Sequence, residues 1–168
     1  MTDGRWRTAL RTAGRRLLTG GRPRPSDAVP GRRRPGAGDA AVVRPGYAPR
    51  PDGQPDPGEV VWTWVPYEDD PRRGKDRPVL VLAVEGPTVV ALMLTSRDHD
   101  RDAADEARHG RIWLDVGPGG WDPRGRPSEV RIDRLLRLPV AGVRREGAAL
   151  DRQRYDEVVR AAARTHGW

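Results

Sequence analysis

Arg77 stands immediately ahead of the apolar run Pro78-Val-Leu-Val-Leu-Ala83, and the hydroxyl pair Thr95-Ser96 immediately follows a second run, Val89 to Leu94. If both runs are strands, a fixed cation and two hydroxyls come to lie near adjacent strand ends, which is what a phosphate site requires. The planar guanidinium fork of Arg77 can hold two phosphate oxygens at once. The hydroxyls of Thr95 and Ser96 can bind phosphate or an attacking oxygen. Further on, Arg131-Ile132-Asp133 sets a cation and a carboxylate on one face of a strand, because alternate residues point the same way. An Asp with a pKa of about 3.9 is a weak base, so burial would have to raise it, and the neighbouring Arg opposes that. Each of these residues also has a structural reading: an Arg bracing a loop, a strand-end cap, an Arg–Asp ion pair.

Other groups surround these. The segment Tyr67 to Asp76 carries Arg72, Arg73 and Lys75, which could clamp backbone phosphates, among the acids Glu68, Asp69, Asp70 and Asp76 that offset them. His99, in Arg97-Asp98-His99-Asp100, has a side chain whose pKa near 6.5 suits a proton shuttle, or it is an exposed loop residue. A metal at Asp98-His99-Asp100 would need carboxylates from elsewhere, since the only other His residues are His109 and His166 and the chain has no Cys. Trp62, Trp64 and Trp113 could stack bases or fill the core.

The elements that must position these groups are short strands. Val60 to Val65 places Trp62 and Trp64 on one face and Val61, Thr63 and Val65 on the other. Val79 to Val84 is apolar on both faces, as a central strand is. Glu85-Gly86-Pro87 reads as the turn of a hairpin into Val89–Leu94. Residues 97–110 read as a charged loop or short helix, Arg111 to Val116 as a strand, and Gly117 to Pro127 as a long loop around Trp121. Glu129 to Leu138 supplies one or two more strands. A final helix follows, with Asp151 as N-cap and Tyr155, Val158, Val159 and Ala162 at i, i+3, i+4 and i+7. The pattern predicts a mainly β fold, a small barrel of five or six strands with a C-terminal helix.

Charge and composition divide the 168 residues in two. Residues 1–57 hold 12 Arg against 5 acids and nine of the 17 Pro; residues 58–168 hold 19 basic and 19 acidic residues. The whole +7 excess therefore lies on the first segment, which reads as a disordered, basic, Pro/Gly/Arg-rich extension. Trp6, Leu10, Leu17 and Leu18 fall roughly on one side of a short basic helix, which reads as a membrane-surface or nucleic-acid arm, or as no more than the start of the extension. Any anionic ligand of 58–168 must find a local patch rather than a global field. No signal peptide or membrane span is visible. The single Lys against 30 Arg points to a GC-rich genome, so Arg content alone carries little functional weight.

Over residues 57–164 the order of Gly58-Glu-Val-Val-Trp62, Arg77-Pro78-Val-Leu-Val-Leu, Leu94-Thr95-Ser96, Trp121-Asp-Pro-Arg-Gly-Arg-Pro-Ser128 and Glu129-Val-Arg131-Ile-Asp133 resembles the MazF/PemK family of toxin endoribonucleases, in an actinobacterial type of member. The resemblance implies an SH3-like PemK/CcdB-type barrel, a cytoplasmic homodimer, an antitoxin partner, and cleavage of single-stranded RNA without metal or other cofactor. It implies catalytic roles for Arg77, Thr95, Arg131 and Asp133; beside them Ser96, Lys75, Arg72, Arg73, His99 and Asp76 are expected, from their own chemistry, to contact RNA. The chain departs from the family in having no His ahead of Arg77-Pro78, which leaves Glu68, Asp76 or His99 to supply the acid or base. The competing expectation is a non-catalytic domain of the same fold that binds RNA or a protein such as gyrase, suggested by the missing His and by an exposed Gly167-Trp168.

Overall fold

The runs of Val and Leu form strands, and the computed structural model, which describes residues 42–96, 106 and 108–168, shows six of them. They are β1 (Glu59–Pro66), β2 (Gly74–Glu85), β3 (Thr88–Thr95), β4 (Trp113–Gly117), β5 (Ser128–Pro139) and β6 (Val143–Ala149), followed by helix α1 (Arg152–His166). The sheet order is β4-β5-β3-β2-β1-β6, every neighbouring pair antiparallel. The hairpin between β2 and β3 turns on two residues, and Gly86 takes the left-handed φ of 59° that such a turn asks of its first residue.

Both faces of the central strands are buried. Val60, Leu80, Leu82, Leu92, Leu94 and Val130 pack under Tyr155, Val158, Ala161 and Ala162 of α1, joined by Trp121 and Leu150. On the other face Val61, Val65, Val79, Val81, Val89, Ala91, Met93, Leu136 and Leu138 pack on one another. Trp113, Val140 and Val143 pack against the edge of that second cluster. Register slips interrupt the β1–β6, β2–β3, β3–β5 and β4–β5 pairings, and a slip of this kind bends a strand locally. The mainly β fold with one C-terminal helix is as the sequence predicts.

Three features differ from the sequence reading. First, β2 begins at Gly74, so Lys75, Asp76 and Arg77 are strand residues opposite Val65, Trp64 and Thr63 rather than part of a loop. Their side chains are charged, but β1 supplies the backbone partners that keep the ladder going. Second, β6 has no period-two apolar pattern and was not foreseen; it forms because β1 offers an edge. Third, the last part of the expected extension, residues 42–57, is packed on the strands. Val43 is 4% exposed and touches the cluster of Ala83 and Val90. The Gly46 amide donates to the Leu82 carbonyl at 3.0 Å. The Tyr47 hydroxyl donates to the Leu150 carbonyl at 2.8 Å, and its ring lies 5.2 Å from that of Tyr155. A strap held by a few specific contacts needs no periodicity, so composition alone misreads it. The candidate helix bearing Trp6, Leu10, Leu17 and Leu18 lies outside the described residues.

Helix α1 starts where predicted. The Asp151 carboxylate accepts from the amides of Gln153 and Arg154 at 3.0 and 3.2 Å, and Gly167 ends the helix with φ 76°. Trp168, expected to be exposed, is instead partly buried against the cluster of Val43, Ala83 and Val90. Its indole has apolar neighbours within reach, and burial there outweighs solvation.

Candidate functional site

Alternation along β2 and β3 turns Arg77 and Thr95 to the side of Val79 and Met93, at the end of the strands where apolar residues give way to charge. There they border two clefts. The first, of about 480 Å³, is walled by Val65, Tyr67, Met93 and Trp113, with Glu68, Glu106, Arg111, Arg131 and Arg134 around it. The second, of about 580 Å³, is bordered by Trp62, Lys75, Asp76, Ser96, Trp121 and Arg126. Arg77 and Thr95 belong to both and form the wall between them.

Arg77 is half-buried, and among the described residues no hydrogen bond or ion pair engages its guanidinium. A cation held on a strand, partly withdrawn from water and uncompensated, is a ready site for an oxyanion. Arg131 is in the opposite state. Its Nη2 donates to Asp133 Oδ2 at 2.7 Å, its Nε to both oxygens of Asp133 at 3.1 Å, and its Nη1 pairs with Glu68 Oε1.

Asp133 is fully occupied as well, since its Oδ1 also accepts from the Ile112 amide at 2.8 Å. Burial pushes its carboxyl up, but the bonds from Arg131 and Ile112 outweigh that and hold it below the ordinary carboxylate value. Burial likewise works against the Arg131 cation, and the two carboxylates more than restore it. The burial-raised base that catalysis by Asp133 would need is thus not what the fold makes: the pair has the geometry of a structural ion pair. Asp133 borders neither cleft.

Of the residues expected from the sequence, Arg77, Thr95 and Arg131 gather at the first cleft, and Ser96, Lys75 and Asp76 at the second. Asp76 is paired there with Arg144 of β6 at 2.8 Å. Arg72 and Arg73 border neither cleft: Arg72 pairs with Asp70 at 3.2 Å, and Arg73 lies 5.7 Å over the Tyr67 ring. His99 lies outside the described residues. None of the three candidate tryptophans is fully buried, though Trp113 packs against the edge of the second cluster. Trp64 is 52% exposed, and Trp62 and Trp113 are half-buried at the second and first clefts; the buried indole is Trp121. Trp113 Nε1 donates to Glu106 Oε2 at 3.0 Å.

Glu106, Arg111 and Arg134 were not singled out from the sequence, where they are ordinary members of charged stretches with no motif around them. Among the described residues no three His, Asp or Glu side chains are grouped as a metal site would need. No described helix is long and apolar enough to cross a membrane.

A profile of the family described as PemK-like, MazF-like toxin of type II toxin-antitoxin system matches residues 56–165. Solved structures similar to this chain include the following two. One is the MazE–MazF crystal structure (Form-II) from Deinococcus radiodurans, 21% identical, covering 69% of this chain and 98% of that one with a TM-score of 0.46. The other is the Mycobacterium tuberculosis toxin MazF-mt6, 18% identical, covering 64% of this chain and 96% of that one with a TM-score of 0.41. No match was found among curated proteins. The matched span takes in every residue that borders the two clefts, and it is more than half of the chain: the protein belongs to the PemK-like, MazF-like family of toxins of type II toxin–antitoxin systems.

Proposed function

We propose that this family member is an endoribonuclease that cleaves single-stranded RNA without a metal ion. The observation that carries the reading is the unpartnered, half-buried Arg77 beside Thr95 on the wall between two clefts. In the proposed reaction the ribose 2′-oxygen attacks the adjacent phosphorus as its proton leaves. The P–O5′ bond breaks, giving a 2′,3′-cyclic phosphate and a 5′-hydroxyl once the departing oxygen is protonated. Arg77 offsets the negative charge that builds on the phosphorane oxygens, and the hydroxyls of Thr95 and Ser96 donate hydrogen bonds to it. The proton acceptor is Asp69, a carboxylate bordering the first cleft, since Asp133, Glu68 and Glu106 are already bonded to neighbouring donors. An acidic antitoxin covering Arg77, a second copy of the chain as dimer partner, and action in the cytoplasm complete the proposal.

One observation favours a second reading, a domain that binds RNA or a protein such as gyrase without cutting. Arg131 and Asp133 neutralise each other, so neither is available as acid or base. The same experiment separates the two. Single-stranded RNA is incubated in EDTA with the full chain and with Arg77→Ala, and product ends are mapped. We expect discrete cuts ending in a cyclic phosphate, slowed by about 100-fold or more in the variant. Binding of RNA with no cut by the wild type supports the second reading, and full activity in Arg77→Ala sinks the mechanism.

A further inference from the structure

A carboxylate sits in the first cleft against two of its arginines. Glu68, on the segment between β1 and β2, directs Oε1 to Nη1 of Arg131, and the same oxygen lies 3.6 Å from Nε of Arg134. Neither guanidinium depends on Glu68 for its place. Arg131 is held by Asp133, and Arg134 donates from Nη2 to the Pro66 carbonyl at 3.0 Å. Both stand on β5, in the body of the sheet. Glu68 is anchored differently. Its side chain is 43% exposed against 10% for Arg131, and Asp69 and Pro71 to Arg73 beyond it are exposed too.

A pair of preset guanidinium groups that shares one carboxylate oxygen also suits a phosphodiester oxygen, which has similar charge and acceptor geometry. Electrostatics favours the exchange only when the carboxylate leaves. With Glu68 and Asp133 in place the charges of Arg131 and Arg134 are balanced; with Glu68 gone, one positive charge is uncovered.

We infer that Arg131 and Arg134 form a second phosphate site in the first cleft, for an RNA phosphodiester flanking the one at Arg77, and that Glu68 is its resident anion, displaced when RNA enters. The inference rests on the RNA-cleaving reading. It makes Glu68 a competitor of the substrate: the loop closes the site in the free protein, and each binding event must open it.

The test uses the full chain as wild type, Glu68→Gln, Arg134→Ala and the double variant. A 2′-O-methyl RNA oligonucleotide, which has no free 2′-hydroxyl and cannot be cut, is one probe, and inorganic phosphate is the other. Glu68→Gln should bind the oligonucleotide about tenfold more tightly at low salt, as expected for a gained hydrogen bond to a charged group. Its log-affinity should also fall with log salt more steeply by about 0.7, the value for one further phosphate neutralised on a single strand. Adding Arg134→Ala should abolish both gains. In NMR titrations the Nε–H signals of Arg131 and Arg134 should respond to phosphate at lower concentration in Glu68→Gln than in the wild type.

Unchanged or weaker RNA binding by Glu68→Gln, when the wild type binds, overturns the second site and leaves the nuclease reading standing. No RNA binding by either protein, with phosphate still favouring Glu68→Gln at both arginines, preserves the anion site and removes the RNA reading. Phosphate that shows no preference for the variant overturns the site outright.

Discussion

Two arginines of identical chemistry do different things here because of what each one faces. Arg77 has no anionic partner among the described residues, so its charge is available to a ligand; Arg131 is covered by Asp133 and Glu68. Asp133 in turn is stabilised as the anion. A carboxyl held below its ordinary value in the fold adds stability above its unfolded pKa, and loses it as pH falls through the folded one. Asp133→Asn should therefore cost about 2 kcal/mol at pH 7, the scale of leaving buried hydrogen-bonding groups poorly satisfied. The gap between wild type and variant should close as the pH is lowered below about 4. Urea unfolding at pH 7 and pH 3 measures both, and a gap that widens on acidification would contradict the ion-pair account.

At the scale of elements, strand ends and helix ends do the positioning. The ladder from Thr63–Arg77 to Pro66–Gly74 carries the cation out past the apolar part of β2 while keeping its backbone rigid. A rigid backbone means that little order has to be found for the phosphate binding proposed at Arg77. Helix α1 covers the opposite face, and its first turn depends on one carboxylate bonding the amides of Gln153 and Arg154. Asp151→Ala should lower stability by about 1 kcal/mol, with Asp151→Asn close to wild type. Denaturant midpoints at constant slope check this; equal losses for Ala and Asn would show that the cap is not the cause.

The packed body as a whole begins ahead of its first strand. Val43, Gly46 and Tyr47 tie residues 42–57 to β2, to the end of β6 and to α1, so this strap closes over the seam between helix and sheet. Tyr47 also meets Gly58, whose φ is 98° and where an added Cβ would fall 2.6 Å from the ring. Tyr47→Ala should cost about 2 to 3 kcal/mol, from lost ring burial and the lost bond to Leu150. Tyr47→Phe should cost about 1 kcal/mol, the net worth of that hydrogen bond. Thermal melts of the two variants separate the contributions, and an unchanged melt for Tyr47→Ala would mean that the strap bears no load.

The local pattern of residues was enough to locate β1, β3, α1 and the Asp151 cap, and to set Arg77 and Thr95 on successive strands. Each of these follows from periodicity or from adjacency within a few residues, and the backbone converts both directly into faces and ends. What the local pattern left open is decided through space. Arg131 and Asp133 could be a catalytic couple or an ion pair until Ile112 and Glu68 are seen to complete their coordination, and Glu68 is far away along the chain. The same holds for β6, which exists because β1 has an edge to fill, for the strap at 42–57, and for tryptophans whose exposure depends on which elements cover them. Charge and side-chain type are properties of the sequence, but whether a charge is spent on a neighbour or left for a ligand depends on low-dielectric contacts that only the folded chain brings together.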